Sequence, residues 1–546
     1  MKKIMLFVLV LCLCFTVFGG SAFAEAAAAE ATGTETTAAE APAEEAPKAE
    51  MTAEELYKTG NDAFFAEDYG KAMEYYQLAA DLGHAEALRN IGNLYLEGLG
   101  VDQSSDKALE YYQRAADQGD EKAMFNIAIV YFVGEGVEQD YGKAFESFRK
   151  AADMGDATAL NNLGAMYEEG IGVEQDYAKA LEYYQQAVDL DDAYGNASLG
   201  DLYRSGKGVD QDLIKAAEYY KKSLELDAEI TSELQEPLHE LTDALCEDGK
   251  AAKDAGDYET AMEYLRSAED LGYSEAIKEI GNLYSEGLGV EQDYQKAYEY
   301  YRRAADLGNT NAINNLGNCY INGLGVEQNV DEALKYYRLA AEQGNPISQY
   351  ILGSLYYYGM AVEQDYDKAF GYLQQSAEQG NDYGQYLLGL CYLTGAGTGQ
   401  NEKGGVKYLM MSAEQGNTDA VASLGWCYEK GIGVEQDSAE AVQYYQIAAD
   451  QGNASARFNL GLHYEKGDGI ERDYGKAKEY YTLAAEQGIV NAIFAMGDCY
   501  YLGYGVETDL DKAAEWYRKA LEAGYEPDET DQEHLKAVLG DKYQQK

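Results

Sequence analysis

The chain has 546 residues, of which 97 are acidic and 42 basic, giving a formal net charge of −55. Phosphate backbones and anionic lipid surfaces would repel such a chain, so the composition argues against nucleic acid and membrane surfaces as partners. It favours a cationic, neutral or mixed-charge partner. An acidic coat also keeps an extended exported protein soluble, without any specific recognition of charge.

Residues 1–24 are predicted to be a signal peptide, because two lysines precede an apolar run that ends in Ala22-Phe23-Ala24. Residues 25–50 consist mostly of Ala, Glu, Thr and Pro with no aromatic residue, which predicts a disordered acidic leader. No later segment reaches the roughly 18 to 20 apolar residues that span a bilayer. We therefore expect a mature protein that begins at Glu25 and is periplasmic or secreted, from a bacterium.

A glycine-rich turn, G-x-G-V, recurs along the rest of the chain with a spacing of 36 residues within each of two runs. Its second glycine position is occupied by Gly100, Gly136, Gly172 and Gly208, and then by Gly289, Gly325, Ala361, Gly397, Gly433, Gly469 and Gly505. A nucleotide or metal loop occurs once or twice in a chain. A unit copied at constant period is instead a structural repeat that buries its apolar face against its neighbours.

Each repeat is predicted to be a helical hairpin, and residues 274–309 serve as the example. Ala276, Ile277, Ile280, Gly281 and Tyr284 recur at helical spacing and define a first helix, here called helix A. The two glycines of the turn end that helix. An aspartate then caps a second helix, helix B, whose packing stripe consists of small and aromatic residues.

The pattern resembles the Sel-one-like repeat, a relative of the tetratricopeptide repeat. The resemblance rests on A-x(4)-LG-x-x-Y, G-x-G-V-x-x-D-x-x-KA and YY-x-x-AA-x-x-G, and it covers nearly all of residues 49–525. It implies an all-α fold, a right-handed α/α superhelical solenoid of about thirteen hairpins. It also implies a scaffold for protein contacts and does not identify the partner.

The repeats fall into two predicted blocks. Residues 49–228 are a tetratricopeptide-like header with four repeats, and residues 274–525 contain seven repeats. Between them, residues 229–273 form an irregular header with nine extra residues around Gln235-Glu236-Pro237, where we expect a break in the superhelix. Residues 526–546 are predicted to be a C-terminal cap and tail.

Catalytic motifs receive little support. Some relatives of this repeat class have been linked to β-lactamase activity, and Ser104-Ser105-Asp106-Lys107 and Lys58-Thr59-Gly60 match two motifs of that chemistry. Their order along the chain is reversed and the third motif is missing, and Ser104 is in register with the helix-capping Asp140 of the next repeat. We therefore predict a non-enzymatic protein, with a β-lactamase-like hydrolase as a remote alternative.

No metal or cofactor site is predicted. Four of the five cysteines of the mature chain occupy one core position of helix A, two residues after its glycine, and they are expected to be small hydrophobes with free thiols. These are Cys319, Cys391, Cys427 and Cys499. The histidines are scattered along the chain, and the Glu-Gln-Asp loops lack the dense oxygen-ligand spacing of a calcium loop.

The candidate binding residues lie on a helix-A stripe, defined as the positions three before, one after and four after the helix-A glycine. From 157 to 321 this stripe is mostly polar, and from 346 to 505 it is aromatic and apolar. The candidate residues are Tyr350, Tyr357, Tyr386, Leu390, Leu393, Trp426, Phe458, Leu462, Phe494 and Tyr501. In the related repeats these positions face a concave groove, but a tight superhelix would bury them as core.

The sequence thus predicts an exported scaffold, a monomer or weak oligomer, that binds a peptide or protein segment in the groove of its C-terminal repeats. The alternative is a solenoid that binds carbohydrate or a cell-envelope glycan, because the same rings can stack on sugar faces. Sequence does not separate these two functions.

Overall fold

The computed structural model describes Lys48 and residues 51–540. Secondary structure in this part of the chain consists of 27 α-helices and short 3₁₀ turns, without a strand. The all-α solenoid predicted from the repeats is therefore confirmed. The predicted signal peptide, the leader apart from Lys48, and the last six residues lie outside the described residues. The expectation of export therefore remains a prediction.

The chain divides into two compact units between Ala276 and Ile277, in the first turn of α13. The helices up to that division are α1 Ala53–Phe65, α2 Tyr69–Asp81, α3 Ala85–Glu97, α4 Ser105–Ala116, α5 Glu121–Val133, α6 Tyr141–Asp153, α7 Ala157–Glu169, α8 Tyr177–Val188, α9 Ala193–Ser205, α10 Leu213–Leu226, α11 Thr231–Asp254 and α12 Tyr258–Asp270. Odd-numbered helices are helix A of their hairpins and even-numbered helices are helix B.

The second unit continues the same alternation. Its helices are α13 Ser274–Glu286, α14 Tyr294–Asp306, α15 Thr310–Asn322, α16 Val330–Glu342, α17 Pro346–Tyr358, α18 Tyr366–Glu378, α19 Asp382–Thr394, α20 Glu402–Glu414, α21 Thr418–Lys430, α22 Ser438–Asp450, α23 Ala454–Lys466, α24 Tyr474–Glu486, α25 Val490–Leu502, α26 Leu510–Glu522 and α27 Glu529–Leu539. In the described part of the chain, no helix combines the length and the apolar character that a bilayer crossing needs.

The acidic turn between the two helices of a repeat is used for capping. In the repeat that begins at α3, Gly98 takes a left-handed conformation and ends the helix, and Gln103 Nε2 donates to the Leu96 carbonyl at 2.7 Å. Ser104 Oγ then accepts from the Lys107 amide and caps α4. These bonds satisfy backbone groups that helix ends leave unpaired. In the next repeat Asp140 has the capping place of Ser104 and accepts from the Lys143 amide at 2.9 Å, so the Gln and Asp of these loops have structural roles.

The helix-A glycine makes room for a ring of helix B. A Cβ on Gly92 would lie 2.5 Å from the Tyr112 ring, a distance that real Cβ atoms do not adopt. Tyr112 is fully buried, and its partner Tyr111 stacks face to face on Tyr95 of helix A at 5.6 Å. The two consecutive tyrosines of helix B thus have separate roles, one filling the hairpin core and the other covering a helix-A ring.

The nine extra residues around Pro237 do not interrupt a helix. A 3₁₀ turn, Ala228–Ile230, leads directly into α11, which has 24 residues and contains Pro237. The extension buries Ile230 and Leu234 at 1% and 3% exposure. Apolar burial at the start of the helix offsets the backbone hydrogen bond that proline cannot donate.

The helix after the last repeat covers the end of the second unit. Leu535 of α27 is fully buried and belongs to one core cluster with Phe494 and Tyr517. A stack of hairpins leaves one apolar face open at each end, and a capping element removes that face from water.

Candidate binding surface

The structure separates the ten predicted groove residues into surface and core. Trp426 is 42% exposed, and seven others are half-buried. Leu393 and Phe494 are 5% and 3% exposed and cannot contact a partner. The prediction is wrong for these two because Leu393 packs against the helix-B glycine Gly405, and because the Phe494 ring stacks on Tyr525 at 4.2 Å.

The polar residues of the helix-A stripe satisfy buried tyrosine hydroxyls. The second tyrosine of helix B donates a hydrogen bond to a stripe side chain one or four residues after the helix-A glycine. The nine pairs, with O···O distances of 2.7–2.9 Å, are Tyr76–Asn61, Tyr112–Asn93, Tyr184–Glu168, Tyr220–Asp201, Tyr301–Asn282, Tyr337–Asn318, Tyr445–Glu429, Tyr481–Glu465 and Tyr517–Asp498. A buried hydroxyl without a partner is costly, so this part of the stripe serves the fold.

In the second unit, two consecutive repeats depart from this arrangement. Leu373 and Leu409 replace the second tyrosine, and each packs close to the helix-A glycine of its own repeat, Gly353 or Gly389. Leucine has no hydroxyl, so the stripe above it needs no polar acceptor. Within the second unit, the apolar and aromatic character of the stripe is therefore concentrated in residues 346–417.

The aromatic residues of these two repeats form one cluster, here called the tyrosine surface: Tyr350, Tyr357, Tyr358, Tyr383 and Tyr386. The Tyr350 and Tyr383 ring centroids are 5.4 Å apart, and those of Tyr357 and Tyr358 are 4.9 Å apart. Tyr358 and Tyr383 are 51% and 50% exposed. Rings with this exposure have unused contact area.

Sequence reasoning missed Tyr358 and Tyr383 because neither occupies a stripe position. Tyr358 is the last residue of α17, and Tyr383 is in the first turn of α19. The run Tyr356-Tyr357-Tyr358 was the available signal, since it supplies three consecutive rings where the other repeats have one or two aromatic residues.

Carboxylates lie beside the tyrosine surface. Burial, followed by the Asp419 carboxylate, raises the pKa of Tyr386 to about 12, and the same two causes raise the pKa of Tyr358. Asp419 also accepts a hydrogen bond from Asn453 Nδ2 at 2.8 Å. Asp419 belongs to α21, the helix that also contains Trp426. The carboxylates beside the rings, here called the acidic edge, therefore extend from the tyrosine surface to the next repeat.

The more C-terminal candidates are engaged within the fold. Phe458 lies 5.8 Å from the Tyr481 ring, and Tyr501 lies 5.0 Å from the ring of His534 on the terminal helix α27. Glu429, Glu465 and Asp498 are stripe residues of the last three repeats, and they accept the tyrosine hydrogen bonds described above. The exposed aromatic surface is therefore shorter than the predicted stripe of residues 346–505.

The motifs that resembled catalytic ones have structural roles. Ser104 caps α4, and the Thr59 hydroxyl donates to the Glu55 carbonyl at 2.8 Å within α1. Gly60 packs on the Tyr76 ring. Each residue is accounted for by helix geometry in its own repeat.

The five cysteines of the described chain are buried. Burial raises the pKa of the Cys319 and Cys427 thiols to about 11 and that of the Cys391 and Cys499 thiols to about 12. A thiol with so high a pKa is protonated at neutral pH and a poor nucleophile or ligand. Within residues 51–540, no group of three or more His, Cys, Asp and Glu side chains has the geometry to hold a metal ion.

Stacked hairpins with a surface of exposed rings define a helical-repeat solenoid of the kind that serves as an interaction scaffold. The family model described as Sel1 repeat matches thirteen segments, which are residues 51–84, 85–120, 121–156, 157–192, 193–227, 245–273, 274–309, 310–345, 346–381, 382–417, 418–453, 454–489 and 490–525. The chain therefore belongs to the Sel1 repeat family, as the sequence motifs predicted. Sel1 repeat solenoids are generally non-catalytic and typically bind protein partners.

Solved structures of similar proteins carry the same repeat. A protective antigen of uropathogenic Escherichia coli with an SLR fold, c5321, is 30% identical, with 85% of this chain and 93% of that chain covered and a TM-score of 0.48. A Sel1 repeat protein from Oxalobacter formigenes is 32% identical, covering 51% of this chain and 99% of that one, with a TM-score of 0.32. The search of curated protein sequences gave no match.

Proposed function

We propose that this protein is a non-enzymatic, exported scaffold that binds a peptide or protein segment through the tyrosine surface and Trp426. The observation that carries the proposal is the exposure of Tyr358, Tyr383 and Trp426, at 51%, 50% and 42%, on three consecutive repeats of one unit. Tyrosine and tryptophan supply large contact area at low cost in side-chain entropy, and they are enriched at binding hot spots.

The acidic edge indicates the chemistry of the partner. Asp382 and Asp419 lie close enough to Tyr350 to contribute to the raised pKa of its hydroxyl, after burial and the neighbouring tyrosines. Carboxylates beside exposed rings favour a lysine or arginine, which pairs with the carboxylate and stacks on the ring. We propose a segment with an apolar or aromatic anchor and a basic flank, which also agrees with the net charge of −55.

A glycan of the cell envelope is the second candidate for the same surface. Exposed tyrosine faces beside carboxylates also suit a sugar, whose apolar face stacks on the ring while its hydroxyls donate to the carboxylates.

The proposed export rests on the predicted signal peptide of residues 1–24. Cell fractionation with an antibody against the mature chain tests it, and recovery of uncleaved protein in the cytoplasm would contradict it.

The binding proposal is tested with residues 25–546 against a displayed peptide library and an array of envelope glycans. Enriched peptides with an aromatic or apolar anchor and a basic flank support the proposal, whereas enrichment of glycans alone would favour the second candidate. Trp426→Ala and Tyr358→Ala should each weaken binding of an enriched peptide by about 2 kcal/mol. The control is Phe65→Ala, because Phe65 is 54% exposed in the other unit.

Thermal unfolding distinguishes surface from core. A side chain as exposed as Trp426 contributes little to the core, so Trp426→Ala should lower the unfolding midpoint only slightly. A loss of roughly 3 to 5 kcal/mol in stability with unchanged peptide affinity would identify Trp426 as core and end the proposal.

A further inference from the structure

The helix-A tyrosine, three residues after the helix-A glycine, is covered by a second ring in most repeats. The first tyrosine of helix B stacks on it, with centroid distances of 5.3–6.1 Å and interplanar angles of 2–16°. The nine pairs are Tyr95–Tyr111, Tyr167–Tyr183, Tyr203–Tyr219, Tyr284–Tyr300, Tyr320–Tyr336, Tyr356–Tyr372, Tyr392–Tyr408, Tyr428–Tyr444 and Tyr464–Tyr480.

The repeat of residues 121–156 lacks the covering ring. Its helix-A tyrosine is Tyr131, and Ser147 occupies the helix-B position where the sister repeats have tyrosine. At this place the structure has an open cavity of about 380 Å³, here called the Ser147 slot. Its lining residues are Leu109, Gln113, Met124, Ile127, Tyr131, Gly142, Lys143, Glu146, Ser147 and Lys150.

The slot has an apolar floor and a polar rim. Met124 and Ile127 are each 6% exposed and form the floor beside the half-buried Tyr131 ring. Lys143 also lines the cavity, and its Nζ lies over that ring at 4.9 Å from the ring centre. An apolar site with a few polar groups at its mouth is the ordinary form of a binding pocket, and its volume is within the usual range.

The geometry points to an aromatic side chain of a partner polypeptide as the occupant of the Ser147 slot. Such a ring would stack on Tyr131 as Tyr183 stacks on Tyr167 in the next repeat, and would complete the pattern that the chain itself builds nine times. Within the described residues no ring of the chain takes that place, and residues 25–50 contain no aromatic residue.

The rim indicates what should flank the aromatic residue. Lys143 and Lys150 line the slot together with one glutamate, Glu146, whose carboxylate pairs with Arg149. Lys143 in turn lies 3.4 Å from Asp140. Two lysines at one pocket contrast with a chain whose net charge is −55, so an acidic residue beside the aromatic one fits better than a basic residue.

The test is a calorimetric or NMR titration of residues 25–546 with the peptide acetyl-Ala-Glu-Tyr-Glu-Ala-amide. Matched peptides carry Leu in place of Tyr or Lys in place of Glu, and N-acetyltyrosinamide is the free ring. We expect the Tyr-Glu peptide to bind at the resonances of α5 and α6, with about tenfold weaker binding for each changed peptide. N-acetyltyrosinamide should bind more weakly than the peptide.

Four variants make the result specific. Ser147→Tyr restores the ring of the sister repeats, so it should keep the fold, raise the unfolding midpoint and abolish binding, whereas Ser147→Ala should leave binding unchanged. Tyr183→Ser should open a second slot over Tyr167 and add a second binding site. Trp426→Ala should have no effect, which separates this site from the proposed function in the other unit.

The inference is overturned if the peptide does not bind at millimolar concentrations, or if Ser147→Tyr folds and binds the peptide as the unaltered protein does. Binding of N-acetyltyrosinamide as tight as that of the peptide would overturn the assignment to a polypeptide. If Ser147→Tyr does not fold, Ser147→Leu fills the slot with a smaller side chain and carries the same expectation.

Discussion

Asp192 shows how one side chain can help and oppose the fold at the same time. Its carboxylate caps α9 by accepting from the Gly195 amide at 2.5 Å. Burial, with a smaller contribution from the carboxylate of Asp156, raises its pKa to about 6. The second unit has asparagine at this capping position, at Asn309, Asn345, Asn381, Asn417 and Asn453. Asparagine makes the same cap without burying a charge.

Asp192→Asn is expected to stabilise the protein at pH 7 by about 1 to 2 kcal/mol and to have little effect at pH 4. The pKa of Asp192 is higher in the folded state than the ordinary value near 4. Below that ordinary value Asp192 is protonated in both the folded and the unfolded state and does not lower the free energy of unfolding. The destabilisation from its buried charge develops as pH rises from that value through about 6. Urea unfolding at both pH values measures this difference.

Asp140→Asn is the control, because the amides of the α6 cap lower the pKa of Asp140. The ionised Asp140 carboxylate therefore stabilises the folded state, which is the opposite of the effect at Asp192. Asp140→Asn should lower the free energy of unfolding at neutral pH and lower it less in acid. Equal effects of the two variants at pH 7 would show that burial does not determine the behaviour of Asp192.

At the scale of the element, the stabilising unit is the hairpin packed between two neighbours. The second tyrosine of helix B links the two helices of one repeat, as Tyr337 does by donating to Asn318 at 2.8 Å. Adjacent helix-A elements are linked by bonds such as Ser348 Oγ to Asn314 Oδ1 at 2.8 Å. A repeat is therefore complete only when both helices and one neighbour are present.

Deletion of residues 310–345 is expected to leave a folded helical protein of slightly lower stability. The deletion joins Asn309 to Pro346, so Asn309 takes the capping place of Asn345 at the start of α17. Circular dichroism and urea unfolding measure the outcome.

The matched deletion of 18 residues, 310–327, removes all of α15 and most of the turn that follows, and it leaves helix B without its partner. It should lose far more stability than the deletion of the whole repeat. Equal loss from the two deletions, or an unfolded chain after the 36-residue deletion, would contradict the repeat as the unit of stability.

At the scale of the whole molecule, the chain is rich in buried phenols. Burial is the first cause of the raised pKa of the second helix-B tyrosine in nine repeats, and neighbouring carboxylates add to it in several of them. The pKa of Tyr337, for example, is raised to about 12. A tyrosine whose pKa is raised on folding contributes stability that is fully present below the ordinary pKa near 10. That contribution is lost as pH rises through the folded-state pKa.

We therefore expect a steep loss of stability between about pH 10 and pH 12, measured as the free energy of unfolding against pH. Tyr337→Phe should reduce that dependence by about one proton, and at pH 7 it should cost about 0.5 to 1.5 kcal/mol for the lost hydrogen bond to Asn318. Stability that stays constant to about pH 12 would show that these phenols are not buried in solution.

The repeat itself was determined by the sequence. A 36-residue period fixes the hairpin, because the glycine opposite Tyr112, the capping Ser104 and the apolar spacing of α3 are all local signals that the chain repeats. The core role of the cysteines also followed from register, since Cys319 occupies the position of Leu94. Consistent local choices repeated in series leave few alternative folds.

The candidate surface was only partly predictable. The stripe positions identified Tyr350, Tyr386 and Trp426, but they also included Leu393 and Phe494, which the structure buries. Spacing along a helix shows which residues share a face, and it does not show what the neighbouring elements place over that face. The Tyr525 ring on Phe494 comes from beyond the last repeat, where the period no longer applies.

Sequence by itself therefore determined the hairpin, its period and its family, because these depend on interactions within about 36 residues. Tertiary structure decided which rings are exposed and why the stripe changes from polar to aromatic. In residues 346–417 the stripe lies over Leu373 and Leu409, and their missing hydroxyls remove the need for polar partners. Exposure is a property of packing between elements, so residues distant in sequence determine it.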